Sequence, residues 1–455
     1  MSPARKLARY AGMALALVAA TPAMPQESAP SILRDAETEA LFKDIARPLI
    51  LAAGLDPKSV QVVLVGDPSI NAFAAGGQNV FIFSGLIIAA DNVNQLQGVI
   101  AHELGHVAGG HLIRFGEGAG PATRISILSL LLAGAAVAAG APDAAMGILG
   151  GGLGIAQSQY LAFSRDVESR ADAAGAGFLR TAGISGKGMI DFFHKLLGEE
   201  YRLAIKQDNA YDRTHPLSGQ RIENLEADLK ASPYWNTPVD AALQARFLRI
   251  KGKLVGYVDD PKHVFATYPD SDVSAGARYA RAYAWHRSAY DDAAGLEIDA
   301  LLKTAPNDPY FLELKGQILL EGGKPAEAVP VLRRAVAAAG NEPLIATLYG
   351  HALIATEDPK DFEEAIPVLK RAIQQDPENP FAWYQLGVIY DRQHDEPRAA
   401  LAQAESSSLE GEMKTAAARA RFARAGLPKG SRDWLRADDI AEFASNEIAD
   451  RKHRR

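Results

Sequence analysis

Two histidines four residues apart, with a glutamate beside the first, are the side chains of this sequence best suited to chemistry: Ala101-His102-Glu103-Leu104-Gly105-His106. On a helix, His102 and His106 project from one face. Two neutral imidazoles so placed can bind one Zn²⁺ and leave room for a protein carboxylate and a water. Glu103 can then take a proton from the attacking water and deliver it to the leaving amine. The five-residue pattern alone is only moderately specific, since two surface histidines on an ordinary helix spell it too. The apolar approach Leu96-Gln97-Gly98-Val99-Ile100 argues for a buried helix, and buried imidazoles need partners.

A third ligand has two candidate sources. Downstream, Ser164-Arg165-Asp166-Val167-Glu168-Ser169-Arg170-Ala171-Asp172 sets Glu168 and Asp172 four apart, so on a helix both face the same way. One can bind the metal while the other accepts a hydrogen bond from a ligand histidine and fixes its tautomer. Read alone, the segment is equally a solvated charged face. His111 is the decoy. A third histidine six residues after the second marks one class of zinc peptidase, but here that position is Leu112. Five residues past His106 the side chain points about 140° away at ~100° per residue. Further on, Thr214-His215-Pro216 puts a histidine on a loop, because proline disfavours helix before it. Arg221 opens the next apolar-periodic helix (Ile222, Leu225, Leu229). A loop imidazole and a guanidinium suit an oxyanion formed when an amide is attacked.

These groups need elements to hold them. Ile32, Leu33, Leu41 and Ile45 predict an amphipathic helix from about Ser31 to Pro48. Val60 to Val65 reads as a strand, Asp67-Pro68-Ser69 as a turn, and Asn79 to Ser84 as a second strand after Gly76-Gly77. Helix, short sheet, then metal helix is the order of a small α+β peptidase domain. Phe247 to Gly256 reads as its closing helix. An apolar hairpin, 124–160, interrupts it: 18 uncharged residues lie between Arg124 and Asp143, and 17 more run from Ala144 to Tyr160. Its Ala and Gly content favours a packed helical hairpin, with contact to a membrane surface or a transmembrane hairpin left open.

The N-terminus reads as an export signal over residues 1–23. Arg5, Lys6 and Arg9 precede a short apolar core, Ala11 to Ala20, and small residues end it. Net charge is −7 and cysteine is absent. The first argues against a nucleic-acid binder; the second excludes disulfides, thiol catalysis and Cys-ligated zinc.

From about 270 to 455 the chain repeats. Ala282, Gly316, Gly350 and Gly387 recur at spacings of 34, 34 and 37. Ala294, Ala328, Ala365 and Ala399 follow them, the third delayed by Glu357-Asp358-Pro359. That period is the tetratricopeptide signature: paired helices that bury their apolar faces only by stacking. Trp434, Leu435, Ile440 and Phe443 predict a capping helix.

Taken together, His102-Glu103-x-x-His106, Glu168-x-x-x-Asp172 and His215-Pro216-x-x-x-x-Arg221 resemble the HtpX and CAAX-prenyl-protease type of zinc metallopeptidase. The resemblance covers roughly residues 30–256 and implies a gluzincin-like α+β domain, mostly helical with a small sheet, followed by an all-α repeat solenoid. It implies one Zn²⁺ per chain on His102, His106 and Glu168, with Glu103 as general base. Asp172 stands behind a ligand, and His215 and Arg221 act on the transition state. His215 has a second reading, as a latch that swings in and closes the site. The strand at Val80, Phe81, Ile82 and Phe83 is expected to hold a substrate backbone by strand addition. The peptidase-plus-repeat layout resembles BepA-like periplasmic proteins. That implies a periplasmic location, unfolded or misassembled envelope proteins as substrates, and outer-membrane assembly machinery bound through the repeats. A repeat chaperone or scaffold with weak or latent protease activity is the alternative.

Overall fold

The computed structural model describes residues 31–75, 78–110, 165–202, 215 and 219–453. The stretch read as an export signal, His111 and the stretch 124–160 read as an apolar hairpin lie outside them. No helix among the described residues is long and apolar enough to cross a membrane.

The chain opens with strand β1 (Ser31–Leu33) and helix α1 (Ala36–Ala52). The helix expected from Ser31 to Pro48 therefore starts later and ends later. Asp35 sets its start by accepting hydrogen bonds from the Thr38 amide (2.8 Å) and hydroxyl (2.6 Å). Pro48 sits inside it, because the buried Leu49 and Ile50 beyond the proline outweigh the backbone bond it removes.

Strands β2 (Val62–Gly66), β3 (Ala72–Ala75) and β4 (Asn79–Phe83) follow, and the sheet order is β1-β2-β4-β3. β2 runs parallel to β4, pairing Val62 with Val80 and Leu64 with Ile82; β3 runs antiparallel to it. β3 escapes sequence reading because Ala-Phe-Ala-Ala has little strand propensity. Its position overturns the expectation for Val80, Phe81, Ile82 and Phe83. β4 has a neighbour on each side, so neither of its backbone edges is free to take a substrate strand. The outer strand of that half of the sheet is β3. Val80 and Ile82 are core residues, fully buried, while Phe81 stacks on Phe73 of β3 with centroids 4.9 Å apart.

Next come α2 (Ser84–Ala89), α3 (Val93–Ala108), α4 (165–182), α5 (Lys187–Arg202), α6 (Gly219–Lys230) and α7 (Ala241–Val258). α3 is the buried centre of this half. Asn92 caps it by accepting from the Gln95 amide, and every residue from Val93 to His106 is buried. Glycines let neighbouring backbones approach it. A Cβ on Gly105 would stand 2.5 Å from the Ala171 carbonyl oxygen of α4, and one on Gly98 would stand 2.6 Å from Met189 Cα of α5. Gly175 and Gly188 make the reciprocal approaches from α4 and α5.

After α8 (Pro261–Thr267), the repeats are antiparallel pairs: α9 (Ala275–Arg287) with α10 (Asp291–Thr304), and α11 (Pro309–Glu321) with α12 (Pro325–Ala338). Then come α13 (Pro343–Ala355) with α14 (Pro359–Gln375), α15 (Pro380–Arg392) with α16 (Glu396–Leu409), and α17 (Met413–Gly426) with the long final helix α18 (Arg432–His453). The small residues sit where paired helices cross: a Cβ on Gly316 or Gly350 would meet Leu332 or Leu369 at 2.4 and 2.6 Å. Trp434 and Leu435 do lie on a terminal helix, whose apolar face is Ala437, Ile440, Ala441 and Ala444.

Candidate active site

α3 presents His102 and His106 on one face, fully buried and 4% exposed respectively. The close crossing at Gly105 brings α4 alongside, and with it the fully buried Glu168. His215, buried, completes the group. Nε2 of His102 lies 3.2 Å from His106 Nε2 and 3.2 Å from His215 Nδ1. Glu168 Oε2 is 3.3 Å from His102 Nε2, its Oε1 is 3.3 Å from His106 Nε2, and both oxygens are 3.2 Å from His215 Nδ1. One donor atom from each of the four falls within 4.8 Å of every other.

Behind this cluster, Asp172 Oδ1 stands 2.9 Å from His102 Nδ1. Such a contact favours the Nδ1–H tautomer and turns Nε2 inward. Arg221, at the start of α6, grips Asp172 through Nε and through Nη2 at 2.9 Å, and its Nη2 also lies 3.1 Å from Glu168 Oε2. Its guanidinium packs 5.7 Å over the Phe193 ring, which stands edge-on to His102 at 5.9 Å. Phe193 of α5 is a neighbour that sequence reading missed. Its only sequence signal is a place in the apolar stripe of α5, shared with many core residues.

Burial works against charge throughout the cluster, and at His102, Glu168 and Asp172 hydrogen bonding overrides it. Burial opposes a charged His102, yet Asp172 and Glu168 raise its pKa to about 10. Burial also opposes the Glu168 carboxylate, but His102, His106 and His215 hold its pKa far below the usual range. Asp172 is depressed despite its burial by Arg221 and His102. Burial lowers His106, so its ring favours the neutral form that ligates. A convergence of imidazole nitrogens and a carboxylate that draws a proton onto His102 is a site that demands positive charge at its centre.

That demand fits a metal cation. Three imidazoles and a carboxylate, with no thiolate, are donors that suit Zn²⁺. Beside them Glu103 is fully buried, and neither of its carboxylate oxygens accepts a hydrogen bond among the described residues. His215 Nε2 is 3.6 Å from Glu103 Oε1. A buried carboxylate that accepts no hydrogen bond is costly, and beside such a donor set it is placed to act on a substrate or a water. Of the residues read from sequence, the fold thus gathers His102, His106, Glu168, His215, Glu103, Asp172 and Arg221. The β4 residues belong to the sheet.

Residues 34–229 match Peptidase family M48. Residues 290–343 match Tetratricopeptide repeat and residues 360–393 match TPR repeat. A "Beta-barrel assembly-enhancing protease" of Yersinia pestis is 28% identical over 386 residues, 82% of this chain and 76% of the relative. The protein of the same name from Escherichia coli strain K12 is 26% identical over the same shares. Among solved structures, "YrrB: a TPR protein with an unusual peptide-binding site" covers 38% of this chain and 90% of its own, at 21% identity and a TM-score of 0.31. With the M48 match enclosing the histidines, the glutamates and Arg221, and the repeat matches following it, the chain carries a peptidase family M48 domain joined to tetratricopeptide repeats, and it is a zinc metalloendopeptidase.

Proposed function

We propose that this chain is an exported, periplasmic endopeptidase that hydrolyses peptide bonds of misfolded or misassembled envelope proteins, its repeats recruiting substrate or outer-membrane assembly machinery. The observation that carries the catalytic part is the buried donor cluster with the Glu103 carboxylate beside it, whose oxygens accept no hydrogen bond among the described residues. The envelope role is supported by the name and coverage of the relatives, and export by the basic, then apolar, start of the sequence.

In this reading His102, His106 and Glu168 hold one Zn²⁺. A bound Zn²⁺ supplies Lewis acidity, polarising the peptide carbonyl and acidifying water. Glu103 takes the proton from the attacking water and passes it to the leaving amine. Asp172 keeps His102 in its ligating tautomer, and Arg221 anchors Asp172 and Glu168. Its part in the transition state is then exerted through those two carboxylates. A substrate backbone is held at β3, the outer strand beside β4, by strand addition.

The test is Glu103→Gln, assayed for bound zinc and for degradation of unfolded casein. We expect full zinc content and a loss of turnover of about 10²–10⁴-fold, the worth of a positioned acid–base. Cleavage at the wild-type rate would exclude the mechanism.

A second reading, a repeat scaffold with latent protease activity, is favoured by the distances at His215. With its Nδ1 at 3.2 Å from both His102 and Glu168, it makes a fourth protein donor. Four protein donors is the closed arrangement of structural zinc sites, whereas catalytic sites keep one position open.

A further inference from the structure

At the junction of the peptidase domain with the first two repeats lies a cavity of about 200 Å³ that the catalytic account does not use. Leu33, Leu64 and Leu254 give it apolar lining, and Tyr257 and Tyr283 give it aromatic lining. The two rings meet edge to face at 6.2 Å. Glu313 of α11 also lines it, with its Oε2 enclosed and accepting no hydrogen bond among the described residues. Nearby Glu37 is 1% exposed and has a second such oxygen, its Oε2.

The other charges at the cavity are engaged. Lys253 pairs with Asp35, and Arg34 pairs with Glu39 and Asp376. The ionisable groups acting on Glu313 come from each packed element: Lys253 on α7, Asp35 and Glu37 at the start of α1, and Glu342 before α13. The strongest of these are three carboxylates and one ammonium, while Arg34 also lines the cavity. Burial above all, and then those carboxylates working against Lys253, raise its pKa to about 8.

A carboxylate oxygen enclosed without a donor is costly. Such a lining repels anions, and a neutral apolar guest leaves the carboxyl unpaired. An alkyl chain ending in a cation answers both halves of the lining: methylenes against leucines, and charge against carboxylate and ring faces. A guanidinium needs a planar fork of acceptors, whereas Glu313 offers one free oxygen. We propose that this cavity binds a primary ammonium group of a polypeptide, carried by a lysine side chain or by a chain N-terminus, with Glu313 as its counter-charge. The catalytic reading is separate: binding here is read without hydrolysis, so either idea can fail while the other stands.

The test is calorimetric titration of the full chain with three small probes. N-acetyl-lysine methylamide carries only the side-chain ammonium, alanine methylamide only the α-ammonium, and N-acetyl-norleucine methylamide the stem without charge. We expect one of the first two to bind at least tenfold more tightly than the third, and which one binds identifies the source. Glu313→Gln should weaken that probe at least tenfold. For the lysine probe, affinity should rise about tenfold from pH 7 to pH 9, as a carboxyl of pKa about 8 ionises. If Glu313→Gln does not fold, Tyr257→Leu, at a half-exposed position (48%), should still weaken binding severalfold. No saturable binding of either ammonium, equal binding of the norleucine probe, or binding indifferent to both substitutions overturns the proposal.

Discussion

His215 is the residue on which the state of the site turns. Its Nδ1 faces the donor cluster and its Nε2 faces Glu103 at 3.6 Å, so one ring lies beside both the proposed metal position and the proposed general base. A latch and a transition-state donor predict opposite outcomes for His215→Ala. As a latch, its removal opens the fourth position and casein cleavage rises severalfold with zinc retained. As a donor to the oxyanion, its removal costs about 10²-fold in turnover or more. Rates equal to wild type would dismiss both roles. Behind it, the chain Arg221–Asp172–His102 shows how the fold spends a buried arginine. The guanidinium allows two carboxylates to be buried ionised and close together, which they otherwise resist.

At the scale of elements, the site exists because α3 and α4 touch through backbone. Gly105 lies inside the His-Glu-x-x-His turn, and its missing side chain is what admits Ala171. Gly105→Ala forces a methyl to 2.5 Å from a backbone oxygen, which only helix displacement relieves. We expect a loss of about 1–3 kcal/mol in stability, the usual cost of overpacking. Because α4 carries Glu168, zinc affinity should fall as well. Chemical denaturation with parallel zinc analysis checks this. A variant with wild-type stability and zinc content would mean that the crossing does not set the ligand geometry. The same device recurs in the repeats, where Gly316 and Gly350 admit Leu332 and Leu369. There it serves helix stacking alone.

At the scale of the whole molecule, the two halves are joined by charge as well as by apolar contact. Ala36 of α1 packs into the core of the repeats. Arg249 of α7 bonds Glu37 through its Nε at 2.8 Å and Asp308, the cap of α11, at 2.7 Å, while its guanidinium lies 4.4 Å over the Phe311 ring. One cation therefore ties an α1 carboxylate to a repeat carboxylate. Arg249→Met leaves the buried Glu37 only the Lys253 ammonium at 3.8 Å, and removing one partner of a buried pair costs about 3–5 kcal/mol. We expect a lower Tm and earlier proteolytic cutting between α8 and α9. Adding Glu37→Gln should recover a good part of the loss. An unchanged Tm in the single variant would show that apolar packing alone holds the halves together.

By itself, the sequence determined the chemistry and the two-part plan. The four-residue spacing of His102 and His106, and of Glu168 and Asp172, is helical geometry written into the chain. The 34-residue recurrence of small residues is enough to specify stacked helix pairs. Sequence could not locate β3, because three of its four residues are alanines, which carry little strand propensity and acquire their conformation from pairing with β4. The substrate-binding expectation fell on an inner strand, because whether a strand is an edge is a property of the sheet, not of its residues. Only the tertiary structure decided that Arg221 serves Asp172 and Glu168, that His215 reaches the cluster, and that Arg249 bridges two domains. Each of these depends on which distant backbones approach closely, and that is set by packing around glycines and buried charges rather than by local pattern.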